Sequence, residues 1–117
     1  MRQFATGASR SSEEGKPQYA GYLSPVVIRA YGRYMLRHQT CEDGSLRASD
    51  NWKAGMPKRV YLESLLRHMV DAWECVTEDA ETSTRTDGEK LEEALCAILF
   101  NASGMLREII LDRGEKS

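Results

Sequence analysis

Several features that announce small functional classes are missing from this chain. Its three cysteines, Cys41, Cys75 and Cys96, are odd in number and none stands in C-x-x-C spacing. That argues against a zinc cage and for reduced thiols in a cytoplasmic setting. No apolar run approaches the roughly 20 residues of a membrane span, and residues 1–14 lack the apolar block of a signal peptide, so no membrane partner is expected. Nucleophilic catalysis finds no support, because there is no Gly-x-Ser-x-Gly elbow, no Gly-rich phosphate loop and no cysteine–histidine pairing. Nothing shows the strand period of two, and there is no internal repeat.

What is present is globular. Hydrophobic residues make up 41% and charged residues 29% of 117 positions, which excludes collagen, low-complexity polymer and wholesale disorder. A single domain of this size sits near the lower end of what buries its own core, which makes self-association a reasonable expectation. The net charge of −2 hides a division along the chain. Residues 24–60 carry seven Lys/Arg against three Asp/Glu, and residues 61–93 carry three against ten. Such a split suits either phosphate contacts beside a carboxylate-held cation or two segments neutralising one another. Duplex nucleic acid is not an expected partner, since the chain is mildly acidic and has no recognition motif.

Three long helices are predicted. The first starts at Ser24-Pro25, where serine caps and proline occupies the first helical position, and runs to about His38. Val27, Ile28, Tyr31, Tyr34 and Met35 share its apolar face, opposite a stripe of Arg29, Arg33 and Arg37. The second helix runs from Pro57 to about Val76 on an apolar stripe of Leu62, Leu65, Leu66, Met69, Ala72, Trp73 and Val76. The third begins near Gly88-Glu89 and reaches about Asp112. Its centre, residues 95–100, is apolar all round, as in a helix central to the fold or one covered by another subunit. Residues 1–23 read as an arm, and residues 40–56 and 77–88 read as loops, the former too long to be mere connection. The expected architecture is therefore all-α: a flexible arm over 1–14, one helical domain over 15–112 completed by homo-oligomerisation, and a tail over 113–117.

On the second helix Arg67, Asp71, Glu74 and Glu78 share a face, and His68 lies three residues from Asp71. A carboxylate pair at i, i+3 suits a hard cation such as Mg²⁺. Glu89 and Glu92 form a matching pair, and the fourteen residues between Glu74 and Glu89 allow an antiparallel return that brings the pairs together. A solvated face explains the same pattern. Asn101 follows six apolar residues, where an unpaired amide costs about 1–3 kcal/mol, so it needs a partner: Arg67, His68 or a ligand. In the loop Asp50-Asn51-Trp52-Lys53-Ala54-Gly55-Met56-Pro57, Trp52 offers either a face on which a base stacks, with Lys53 on a phosphate, or a plug onto the core.

Gly15-Lys16-Pro17-x-Tyr19, Asp50-Asn51-Trp52-x-x-Gly55-x-Pro57, Arg67-His68 followed by Trp73, and the apolar helix bearing Asn101 occur together in this order. In these the chain resembles the dATP/dGTP diphosphohydrolase N-terminal domain family, which is mostly phage-encoded and related to the all-α nucleoside triphosphate pyrophosphohydrolases. The resemblance covers about residues 15–110. It implies a helical domain that handles purine deoxynucleotides, with Mg²⁺ held by Asp71, Glu74, Glu89 and Glu92. His68 and Arg67 would then serve catalysis, and Lys16, Asp50, Asn51, Trp52, Lys53 and Asn101 would bind the nucleotide. Many members carry two histidines seven and four residues before the asparagine, and this chain has Ala94 and Ala97 there. Three functions follow as expectations: a Mg²⁺-dependent hydrolase releasing pyrophosphate, a protein that sequesters a nucleotide without turnover, and an oligomeric structural or interaction protein.

Overall fold

In a computed structural model of the chain the described residues are 2–3, 5–7, 9–10, 12, 14–77 and 85–114. The fold is all-α. A one-turn helix α1 (Tyr19–Tyr22) leads into α2 (Pro25–Arg37), a 3-10 turn covers Asn51–Ala54, and two long helices follow, α3 (Lys58–Thr77) and α4 (Arg85–Asp112). Two-residue strands, Arg2–Gln3 and Ser9–Arg10, pair antiparallel near the N-terminus, too short to display a period in the sequence. Glu78, most of the loop predicted over 77–88, and part of both termini lie outside the described residues.

Local chemistry accounts for the boundaries. The Ser24 side chain accepts from the Val27 N–H at 3.3 Å and Pro25 needs no donor, so α2 starts there. Ser24 itself is extended (φ −96°, ψ 118°), as a residue before proline must be, and this ends α1. Residues 19–22 thus depart from the expected arm by a single turn, which buries nothing. Beyond α4, Gly114 takes φ +82° and donates to the Leu111 carbonyl, a left-handed ending that glycine adopts without strain.

The helices α3 and α4 form an antiparallel hairpin. Tyr61 near the start of α3 packs against Phe100 and Gly104 late in α4, and Lys58 pairs with Asp112. Small residues permit this approach: Ala94, Ala97, Asn101 and Gly104 recur at spacings of three and four along the α4 seam, and all are buried. Helix α2 packs on α4, where Ala30, Tyr31, Tyr34 and Met35 meet Cys96, Ala97 and Phe100. Its first turns overhang, leaving Val27 and Ile28 about half exposed, so only the second half of the predicted α2 face is covered. Burial pushes the Tyr31 and Tyr34 hydroxyls and the Cys96 thiol above their ordinary values.

Among the described residues α4 carries one stretch, Gly88–Asp112, long and apolar enough by length and composition to cross a membrane. Its charge-free part is residues 94–106. At 1.5 Å per residue this extends about 20 Å, short of the roughly 30 Å of a hydrocarbon core.

A methyl group on Gly104 would overlap the Tyr61 ring, 2.7 Å from Cζ, and Tyr61 is 2% exposed with nowhere to go. Gly104→Ala is therefore expected to lower unfolding free energy by about 1–3 kcal/mol. Gly32→Ala, where nothing lies within 4 Å, should instead raise it by about 0.5–1 kcal/mol. Urea unfolding followed by circular dichroism checks both, and equal effects would refute the packing account.

Candidate functional site

The C-terminal half of α2, the loop after it and one ring of α4 line a half-open cavity of about 590 Å³. Its walls are mostly apolar and aromatic, with Tyr34, Met35, Trp52 and Phe100 among them, and its polar edge is formed by His38, Gln39, Arg47 and Asn51. The loop is ordered by its own backbone. Cys41 N–H donates to Ser45 O at 2.7 Å, Arg47 N–H donates to Gln39 O at 2.8 Å, and Thr40 and Leu46 form an isolated bridge between them. Asp43 closes the tip by accepting from both the hydroxyl and the N–H of Ser45, which holds its carboxyl below the ordinary value.

Two side-chain clamps tie this region to α4. At one end Glu93 accepts from Arg37 Nη2 at 2.8 Å, and its other oxygen lies 2.6 Å from His38 Nε2. Partial burial pushes the Glu93 carboxyl up, but the hydrogen bonds from His38 and Arg37 outweigh it and the net shift is downward. The His38 ring also lies 4.3 Å from that of Tyr34, between centroids. At the other end Arg107 donates to the Lys53 carbonyl at 3.2 Å and places its guanidinium 5.3 Å from the Trp52 ring centroid. Lys53 Nζ lies 5.9 Å from the same ring. Gly55, at φ +75° beside Glu108, makes the turn from this loop into α3. Trp52 thus lies under Arg107 of α4 and forms part of the cavity wall.

The remaining predicted residues are dispersed. Asn51 and Trp52 line the cavity; Asp50 and Lys53 flank them on the exposed 3-10 turn; Lys16 is exposed in the segment before α1. Arg67, Asp71 and Glu74 are exposed on α3, and His68 is half-buried with Nδ1 3.6 Å from Asp71 Oδ2. Glu89 and Glu92 are exposed on α4. None of these α3 and α4 residues lines the cavity. Among the described residues no group of three or more His, Cys, Asp or Glu side chains is placed so that it could hold a metal ion. Asn101 is 4% exposed as expected, but its partner is neither Arg67 nor His68: Nδ2 donates to the Ala97 carbonyl one turn back at 2.8 Å. A helix interior always presents that acceptor, so an asparagine there can satisfy its donor without any neighbouring helix.

Sequence reasoning passed over His38, Arg47, Glu93 and Arg107. Their partners stand 9 to 56 residues away along the chain, and no local pattern couples residues at such spacings.

Glu93 contributes stability that is complete above the ordinary carboxylate value of 4.5 and is lost as pH falls through its lowered folded value. The pairs are half exposed, so the contribution is below about 1 kcal/mol. Glu93→Gln is expected to be less stable than the parent at neutral pH, with the difference shrinking as pH drops below 4.5. Denaturant midpoints measured across this range check the sign; a gap that widens in acid would contradict it.

No family model matches the chain, and neither a curated protein nor a solved structure does; the chemistry of the site therefore stands on its own side chains.

Proposed function

We propose that the chain binds a purine nucleotide in the cavity beside α2 and sequesters it without turnover. The observation that carries this reading is the cavity itself. At about 590 Å³ it falls within the range of small-ligand sites, and it combines an aromatic wall with a few polar groups on one edge. The Trp52 indole supplies a face for a base, a stacking contact worth about 1–3 kcal/mol. Arg47, with Lys53 beside the Trp52 ring, supplies positive charge for phosphate, in the segment whose balance is the most basic of the chain. The resemblance read from the sequence supports a purine deoxynucleotide as the ligand class.

Sequestration accounts for the geometry better than hydrolysis. Where the resemblance places two histidines, Ala94 and Ala97 are 5% and 1% exposed and bring only methyl groups to the packing of α4. The acids that a cation-dependent hydrolase would use, Asp71, Glu74, Glu89 and Glu92, lie outside the cavity wall, so a nucleotide held there would not face them.

The test is a thermal-shift and calorimetric titration with dGTP and dATP, with and without Mg²⁺, followed by chromatography of the nucleotide. The expected result is a raised Tm, intact nucleotide and an affinity at least about tenfold weaker in Trp52→Ala. Pyrophosphate among the products would make the protein a hydrolase, and the absence of any shift with purine nucleotides would remove the binding reading.

A further inference from the structure

The surface of this chain is large for its mass. Its accessible area is 9483 Å², whereas a compact monomer of 13.2 kDa exposes about 6,400 Å². Its radius of gyration is 19.0 Å, against roughly 13–14 Å for a compact domain of this length. The N-terminal segment and the overhang of α2 supply part of the excess. A substantial part is one face of the α3/α4 hairpin.

On α3, Leu62, Leu66, Met69, Trp73 and Val76 recur at spacings of four and three, and all are exposed, Trp73 at 69%. On α4, Leu95, Leu99, Leu106 and Ile109 do the same, with Ala102 completing the repeat. At 100° per residue the stripe is turned by about 100° on α3 and about 140° on α4 from the side on which each helix meets the other. In an antiparallel pair those turns bring both stripes to the same side, opposite α2. The result is a two-helix apolar layer without a charged residue in either stripe. Its nine large side chains expose on the order of 900 Å², beyond the 300–600 Å² of the largest patch on an ordinary monomer.

The distribution of side-chain size identifies what belongs on it. On α4 the seam is built from alanine, asparagine and glycine and receives the Tyr61 ring from α3, whereas the leucines, methionine and tryptophan of the two stripes are exposed. A self-sufficient two-helix core would place most of its large residues inside; here the nine large side chains of the stripes are left for a second layer. We infer that this face is the interface of a homodimer, in which a second α3/α4 hairpin seats its own stripes against the first and closes a four-helix bundle. About 900 Å² per partner matches the roughly 800 Å² per side of a stable standard interface. The heptad-like spacing on both helices is that of knobs set into holes on an equally long helical layer, and a second copy supplies such a layer. Absence of charge from the stripes removes the repulsion that would oppose self-pairing. The edges of the face carry charges of both signs, Arg59 and Arg113 as well as Glu63 and Glu92.

The test is light scattering and thermal unfolding of the full chain over a wide concentration range, with flotation on phosphatidylcholine vesicles. The expected species has twice the 13.2 kDa chain mass, and its Tm rises with concentration. In Trp52→Phe protein the remaining indole, Trp73, is expected to be shielded from acrylamide, although 69% of it is exposed in the single chain. Leu99→Glu is expected to abolish the dimer, as a monomer or as an unfolded chain. A monomer with a concentration-independent Tm and a freely quenched Trp73 would overturn the inference, as would a chain that is monomeric in water and floats with vesicles.

Discussion

The closeness of α3 to α4 governs the rest of this structure. It exists because residues 94, 97, 101 and 104 of α4 are alanine, alanine, asparagine and glycine, leaving room for the Tyr61 ring against the helix backbone. Asn101 can sit in such a seam only because it satisfies its own donor on the Ala97 carbonyl. With α4 held in this way, one side of it receives α2 through Cys96, Ala97 and Phe100, and the opposite side is left to large apolar residues. The seam is narrow, and its narrowness explains why so few side chains are fully buried in a chain with this much hydrophobic content.

The cavity depends on α4 as well. Phe100 forms part of its wall, Glu93 anchors the end of α2, and Arg107 lies over Trp52 while gripping the backbone at Lys53. A loop of this length between α2 and α3 would cost considerable entropy to order by itself. Its own turn, closed by Asp43 and Ser45, orders the tip, and the two clamps on α4 order the ends. A ligand entering the cavity would meet a wall already in place, which lowers the ordering cost of binding.

Some of this was legible in the residues and some was not. Ser24-Pro25 announced the start of α2, and Pro57 the start of α3 to within one residue, because capping and proline geometry act between neighbours. The apolar stripe of α3 was equally legible, though what lies against it was not: periodicity reports that a face wants to leave water and is silent about its partner. Asn51 and Trp52, adjacent in the chain, both line the cavity. Asp71, Glu74, Glu89 and Glu92 share a local spacing on two helices, but none of them lines the cavity.

Sequence alone determined the helical class, the order and near-boundaries of the long helices, and the existence of a structured loop before α3, all of which follow from interactions spanning a few residues. The tertiary structure decided which of the two apolar sides of α4 is covered within the chain, which carboxylate meets which base, and where the concave surface lies. Those outcomes turn on how closely two helix backbones approach and on pairings such as Arg37 with Glu93, 56 residues apart. Helical phase and backbone distance in three dimensions select them, and no local pattern encodes either.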